Sequence, residues 1–405
     1  MTSWQLSNGL SVYLLPADLP FAAVVLAYRV GAASESPHQA GVAHLLEHLL
    51  FEDDDIAYDE KIQAVGGNTN AYTGQDYTVY YARVPREKLG LALELEAQRL
   101  FNLKLSPDKI AIQRQVVAEE FRQRYLNPPY ADRFFHLVKM AFPLHPYGKM
   151  VIGESPEQVL ALPDEALHEF YQRFYTPSNA VLCVAGGGIE EGTFSIIQAL
   201  YDRPKVGEQP PIIPSVEALP LGEREKVCHA AVPQKAVIWA YRLPPLQEPI
   251  THAFDLLDDY LGDSRSGVLT QRLVYQTGVA SRLSTYIWQM HQGGLWIIEA
   301  YLSDSISIEQ YERELEAALT KALETDLSKA LEVYRPLRYL ALHRERSKIL
   351  GRATALVHAV LAGHPEWYEV PLLPYERLSI DDLRWVAQTF VTSENRLRLH
   401  YIPAN

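Results

Sequence analysis

The strand-like stretch VVLAYRVGA, residues 24–32, indicates a repeat within the chain, because a close copy of it, VIWAYRLPP, occurs at residues 237–245. Three landmarks near the end of each half of the chain also recur in the same order. In pairs, they are Leu167 and Leu383, Phe174 and Phe390, and Asn179 and Asn395. Both sets recur about 215 residues further on, at nearly one offset, which predicts an internal duplication of the chain.

Prolines and charges interrupt the periodic pattern between the two copies, in YDRPKVGEQPPIIPSVEALPLGEREK at 201–226, which is typical of a linker. We therefore predict one domain at 1–205, a linker at 206–226 and a homologous domain at 227–405. In each half, strands come first, then helices, then strands. This segregated order favours an α+β fold with two tandem domains, each an antiparallel sheet covered by helices.

The composition is that of a globular protein with more than one domain. The chain has 405 residues, 48% of them hydrophobic, 21% charged, with a net charge of −13. This acidic balance argues against a nucleic-acid or anionic-membrane partner. The start, MTSWQLSNGL, lacks the features of a signal peptide, so we expect a cytoplasmic location. The cysteines, Cys183 and Cys228, are too few for a disulfide framework.

The segment GVAHLLEHLLFE, residues 41–52, carries the clearest chemical signal. It has no proline or internal glycine and is rich in leucine, which predicts a helix. On that helix His44 and His48 are one turn apart, with Glu47 on the same side. Imidazoles are good zinc ligands, and H-x-x-E-H is the inverted zinc-protease motif, in which the glutamate acts as general base. The alternative interpretation is an ordinary buried polar cluster.

A third ligand is expected from QRQVVAEEFRQRY, residues 113–125, another stretch compatible with a helix. A carboxylate from a second helix beside the first would complete a set of two histidines and one glutamate. We choose Glu120 and keep Glu119 as the alternative. One Zn²⁺ per chain is predicted, although such ligands also accept cobalt or manganese.

With these motifs, the sequence resembles the pitrilysin and mitochondrial processing peptidase family of insulinase-like zinc metallopeptidases, in its half-length bacterial form. The similarity covers residues 1–200 specifically and the rest diffusely. The matching segments are HLLEH, GGNTNAYTGQDYTVYYARV (66–84), VVAEEF (116–121), FPLHPYGKMVIGE (142–154) and FYTPSNAVLCVAGG (174–187).

The resemblance implies roles for individual residues of the first half. It implies that His44, His48 and Glu120 bind zinc and that Glu47 activates water. It also implies that the strand carrying Asn70, Ala71 and Tyr72 lines a cleft where the substrate adds as an extended strand. Many relatives carry a second acid that supports the zinc ligands, and this chain has Gln113 at that position. We expect Gln113 and, if it is not itself the third ligand, Glu119 to support the ligands in this way.

The second half departs from the resemblance in two ways. The counterpart of the zinc helix is LDDYL (257–261) and the counterpart of Glu120 is near Arg335, so we expect no second metal site. Many relatives place an arginine and a tyrosine in this half to hold the substrate carbonyl. The corresponding residues here are Val268 and Ser281, and the nearby substitutes are Arg282 and Tyr286.

The sequence therefore predicts a zinc-dependent endopeptidase that cleaves peptides or small unfolded polypeptides inside a chamber formed by two chains. Because the substrate-holding pair is missing, we expect a heterodimer with a homologous metal-free subunit, and a homodimer is the second choice. The alternative function is a catalytically weak or silent peptide-binding subunit of a processing-peptidase-like complex.

Overall fold

In the part of the chain that the structure describes, the strands form two sheets, of six and five strands. The computed structural model describes residues 1–52, 57–216, 222–246, 250–262, 265–325 and 327–404. The strands are β1 Thr2–Gln5, β2 Ser11–Pro16, β3 Phe21–Tyr28, β4 Asn68–Thr73, β5 Thr78–Pro85, β6 Ala180–Gly186, β7 Arg224–Ala230, β8 Ala236–Leu243, β9 Ala280–Met290, β10 Gly293–Leu302 and β11 Arg396–Pro403.

Helices lie between groups of these strands along the chain. They are α1 Val42–Leu49, α2 Tyr58–Ala64, α3 Leu89–Phe101, α4 Pro107–Phe121, α5 Arg133–Ala141, α6 Pro156–Leu160, α7 Asp164–Phe174, α8 Thr193–Tyr201, α9 Thr251–Gly262, α10 Val268–Thr270, α11 Ile308–Glu324, α12 Arg335–Arg346, α13 Ile349–Leu361, α14 Glu366–Glu369, α15 Leu373–Glu376 and α16 Ile380–Phe390. Among the residues described above, no helix has the length and apolar character needed to cross a membrane.

The two sheets repeat one strand order, which confirms the predicted α+β class and duplication. The order is β1-β2-β6-β3-β5-β4 in the first sheet and β7-β11-β8-β10-β9 in the second. The two sequence copies form β3 and β8, the central strands. One pair in each sheet is parallel, β2 with β6 and β11 with β7, so the sheets are not purely antiparallel. The long helical connection between the paired strands makes parallel pairing possible.

The repeated landmarks make the same local structure in both halves. Phe174 ends α7 and Phe390 ends α16. Five residues later an asparagine side chain turns back, and its amide donates to the carbonyl of that phenylalanine. Asn179 Nδ2 lies 2.9 Å from the Phe174 oxygen, and Asn395 Nδ2 lies 2.7 Å from the Phe390 oxygen. The asparagines recur because each fixes the turn that leads into the last strand of its half.

Contacts group the chain into two compact units that are discontinuous in sequence. The first unit takes in 1–123, 149–213 and 343–369, and the second takes in 124–148, 214–342 and 370–405. Each unit thus includes one segment from the other half of the chain. These units differ in kind from the predicted domains 1–205 and 227–405, which describe the repeat along the sequence and stay predictions. Residues 217–221 of the predicted linker lie outside the described residues.

Helix α13 covers one face of the first sheet, although it belongs to the second half of the sequence. Its buried Leu356 and Val357 pack against Val25 of β3 and Val181 of β6. These four side chains are fully buried, and burial of such apolar surface is the main source of stability for a sheet. The first sheet therefore has its core completed by a segment made late in the chain.

The opposite face of the first sheet carries the predicted site. Helix α1 packs against β4, α4 and α7. Side chains alternate between the two faces of a strand, so neighbouring residues of β4 face different helices. Thr73 contacts Glu47 of α1, whereas Tyr72 contacts His358 of α13. The end of β4 is thus held from both sides.

Candidate metal centre

A buried carboxylate fixes the start of helix α1. Glu35 accepts hydrogen bonds from the backbone N–H of Gly41 at 2.9 Å and of Ala43 at 2.8 Å. Both amides lie at the helix N-terminus, where backbone donors lack partners within the helix. Burial raises the pKa of Glu35, whereas the two amide donors and Lys149 favour its charged form and lower the pKa. Glu35 therefore anchors the loop before α1 to the first turn of the helix.

Helices α1 and α4 bring three potential ligands together. The ligand atoms of His44, His48 and Glu120 all lie within 4.8 Å of one another. Nε2 of His48 is 3.2 Å from one oxygen of Glu120, and Nε2 of His44 is 3.9 Å from the other. The side chains are 12%, 24% and 15% exposed for His44, His48 and Glu120. The cluster is therefore partly open to solvent.

The three ligand atoms fit a zinc ion. Two nitrogens and one oxygen at about 2.1 Å from a tetrahedral zinc are about 3.4 Å from each other. The two imidazoles lie 3.2 and 3.9 Å from different oxygens of Glu120, and no two ligand atoms of the set are more than 4.8 Å apart, so small side-chain movements would bring them to that spacing. Three protein ligands leave a fourth position open, as in catalytic rather than structural zinc sites. His44, His48 and Glu120 could hold the metal in that way.

Electrostatics around His48 depend on its acidic neighbours. Burial lowers the pKa of His48, but the hydrogen bond with Glu120 and the charges of Glu120 and Glu47 outweigh burial and raise it. Hydrogen bonding to the buried Gln113 also raises the pKa of His48, with the smallest effect of these causes. Gln113 thus lies near a predicted ligand, and its amide brings no charge to the site.

Glu47 lies on the same helix as the two histidines and has a hydrogen-bond donor of its own. Thr73 Oγ1 at the end of β4 donates to Glu47 Oε2. This bond holds one carboxylate oxygen and links the helix to the strand. Glu47 is partly exposed, so its carboxylate can receive a proton from water at the cluster. Such an arrangement is suited to general base catalysis.

Glu119, the alternative third ligand, points elsewhere. Its carboxylate is about half exposed and accepts hydrogen bonds from Arg122 at 3.5 Å and Gln123 at 3.0 Å. Adjacent residues on a helix point about 100° apart, so Glu119 and Glu120 cannot both face α1. The structure brings Glu120, and not Glu119, to the histidines.

The predicted substrate strand is an edge strand. In the part of the chain that the structure describes, β4 pairs with β5 on one side and with no strand on the other. The side-chain oxygen of Asn70 accepts a hydrogen bond from the Ala71 N–H at 2.8 Å, so this edge amide is occupied by its own strand. The Tyr72 hydroxyl lies 2.7 Å from Nε2 of His358.

An ion pair takes the corresponding place in the second half. LDDYL lies on α9, where Asp259 pairs with Arg338 of α12 at 2.9 Å. Arg338 also donates to the backbone oxygen of Asp255, and Arg335 donates to the oxygen of Leu378. A guanidinium from the protein thus supplies the positive charge beside these acids.

The residues considered as substrate-holding groups make contacts within the second unit. Val268 packs on the core, and Ser281 donates to the Tyr301 oxygen at 3.1 Å. Arg282 lies over the Tyr301 ring, with its guanidinium carbon 5.8 Å from the ring centroid. Tyr286 donates to buried Glu299 at 3.0 Å. A role for Arg282 or Tyr286 in holding substrate stays a prediction.

Sequence reasoning missed Glu35 and Thr73. Glu35 lies in a loop without periodicity, six residues before the first amide it binds. Thr73 lies 26 residues from Glu47 along the chain, on a strand chosen for other residues. An acid shortly before a helix that lacks a capping side chain is the signal that points to Glu35. No sequence signal marks Thr73.

Comparisons with known proteins match both halves of the chain to one peptidase family. Residues 15–155 match the insulinase family, peptidase family M16, and residues 161–331 match the M16 inactive domain. The zinc protease PqqE of Helicobacter pylori is 28% identical over 338 residues, which cover 81% of this chain and 76% of that protein.

Two solved structures share the fold. A protease from Helicobacter pylori has a TM-score of 0.90 at 24% identity and covers 99% of both chains. The periplasmic protease PqqL from Escherichia coli has a TM-score of 0.79 at 16% identity, over 99% of this chain and 47% of that one. Because two family models and a zinc protease match its sequence, the chain belongs to peptidase family M16, the insulinase family.

Proposed function

We propose that the chain is a zinc-dependent endopeptidase that cleaves peptides or small unfolded polypeptides. The observation that carries the proposal is the gathering of His44, His48 and Glu120 within 4.8 Å, with Glu47 on the same helix. A silent peptide-binding subunit has no need of this set, and all four residues are present. The similarity to a zinc protease supports zinc as the ion.

The residues of the site divide the work of peptide hydrolysis. Zinc, when bound, polarises the scissile carbonyl as a Lewis acid and acidifies water. Glu47 takes the proton of the attacking water on a carboxylate oxygen and passes it to the leaving amine. Thr73 fixes the other oxygen of Glu47 by donating to it, so the carboxylate keeps one orientation while it moves the proton. Gln113 lies near His48 and brings no charge to the site.

The open edge of β4 is the proposed substrate-binding site. A peptide added to an exposed sheet edge is held by main-chain hydrogen bonds, which accept many sequences. The end of β4 is joined to the general base by the bond from Thr73 to Glu47, so an added strand passes beside the site. Only an extended chain can bind in this way, which favours unfolded substrates.

Replacing Ala71 with proline should raise KM about fivefold, because it removes one edge amide whose hydrogen bond contributes about 1 kcal/mol. Proline is tolerated on edge strands, so metal content and melting temperature should stay unchanged. Steady-state kinetics on a quenched, unstructured peptide measure the effect. The matched control is Ala71→Ser, which changes the same position but keeps its backbone N–H and should leave KM near the wild-type value. An Ala71→Pro protein with the wild-type KM would exclude this edge.

The proposed activity is tested by metal content and peptide cleavage of the purified chain. We expect about one zinc per chain, cleavage that stops when a chelator removes the metal, and recovery when zinc is added back. A folded protein substrate should resist cleavage while an unstructured peptide is cut. Protein that binds no metal and cuts no peptide, alone or with a partner, would instead support the silent-subunit alternative.

A homologous subunit without a metal site is the proposed partner, and two such chains would form the chamber. The support is that this chain corresponds to only 47% of PqqL, and that the second half has Val268 and Ser281 in place of the substrate-holding pair. Co-expression with a homologous chain, followed by sizing and assay, tests the heterodimer. A stable, active homodimer would exclude it.

The cytoplasmic location stays a prediction.

A further inference from the structure

Glu35 is a buried acid that the proposed chemistry does not use. It is 7% exposed, and its two oxygens are each bonded to a different amide at the start of α1. Gly41, the residue at the N-cap of α1, makes no side-chain capping bond. The cap of this helix therefore comes from a residue outside it.

Position 41 cannot supply the cap itself. Gly41 has a φ of +89°, which residues with a side chain rarely adopt, and a Cβ there would lie 2.9 Å from the Ile152 oxygen. A serine or aspartate at the N-cap is thus excluded by both conformation and space. Only a side chain that reaches in from elsewhere can satisfy these amides, and Glu35 does so with both oxygens.

The capped amides lead directly to a predicted ligand. The N–H bound by Oε1 of Glu35 belongs to Ala43, the residue before His44. The position of this peptide unit sets where the His44 side chain begins, and an unrestrained first helical turn frays. We propose that Glu35 is a positioning residue that places His44 for metal binding through the first turn of α1. This inference rests on the proposed function of the site.

The test compares Glu35→Gln and Glu35→Ala with the wild type, using the full chain loaded with cobalt(II). Glutamine has the same shape but accepts at one atom only, and it turns an N–H₂ donor toward an amide donor. Alanine removes both acceptors. The readouts are cobalt affinity, by competition with a chelator, and the visible absorption of bound cobalt, which reports the ligand geometry.

We expect Glu35→Gln to weaken cobalt binding about tenfold and Glu35→Ala about 100-fold, each with a changed absorption spectrum. The matched control is Val181→Ala, which removes buried volume on the sheet face covered by α13. It should lower the melting temperature but keep the affinity and the spectrum.

Three results would overturn the inference. Glu35→Gln and Glu35→Ala with wild-type affinity and spectrum would show that the cap does not place the ligand. Equal weakening in Val181→Ala would show that lost stability alone explains the effect. A wild-type protein that binds no cobalt would contradict both the proposed metal site and this inference. If the wild type binds cobalt and both Glu35 variants bind it equally well, only the inference is wrong.

Discussion

Replacing Glu47 with glutamine is expected to leave the metal content unchanged and to lower kcat for peptide cleavage about 1,000-fold, within the range typical of lost general base catalysis. Glutamine keeps the shape of glutamate and an oxygen that can accept the bond from Thr73. It has no oxygen that takes up a proton near neutral pH. The ligands are untouched, so the metal should stay bound.

The measurement for Glu47→Gln pairs zinc content with cleavage of a quenched, unstructured peptide. The control variant is Glu60→Gln, the same change at an exposed position of α2, which should leave both quantities as in the wild type. A Glu47→Gln protein that cuts at the wild-type rate would remove Glu47 from the proposed role. If metal content also fell, Glu47 would instead have to be counted among the groups that hold the metal.

Replacing Glu120 with glutamine is expected to lower zinc affinity more than 100-fold. Residues that only support a ligand typically change metal affinity by roughly 10- to 100-fold, and here a ligand itself is altered. An amide oxygen carries no charge to offset that of the ion, and it binds zinc more weakly than a carboxylate does. Cleavage should fall with metal occupancy. Titration of the metal against a chelator, together with the peptide assay, measures both effects.

Glu119→Gln is the matched control for Glu120→Gln, because it makes the same change at the next position of the same helix. Its carboxylate contacts Arg122 and Gln123 at the surface, so metal affinity should stay at the wild-type value. The opposite result, with metal lost from Glu119→Gln and kept by Glu120→Gln, would transfer the ligand role to Glu119 and contradict the arrangement of the two side chains described above.

Much of the site could be predicted because it depends on helix periodicity. The spacing of four residues between His44 and His48 predicts that both side chains lie on one face, and the structure places them with ring centroids 4.9 Å apart. Glu120 could be predicted as their neighbour only with the family resemblance, since no local rule tells which helices pack together. Sequence spacing alone left Glu119 open.

The rest could not be predicted because it depends on contacts between distant segments. Thr73 reaches Glu47 only because β4 lies beside α1. Helix α13 has an apolar pattern that fits many partners, and nothing in the pattern assigns it to the first sheet rather than the second. The parallel pairing of β2 with β6 was missed for the same reason, because strand direction follows from the path of the whole chain.

The late position of α13 has a consequence for synthesis on the ribosome. The apolar face formed by residues such as Val25 and Val181 cannot be covered until residue 361 has been made. For the second half of translation, the nascent chain therefore carries a sheet with one bare hydrophobic side. Exposed surface of that kind invites aggregation or chaperone binding. A chain that stops early, whatever the state of its metal site, would release a protein that cannot finish its first core.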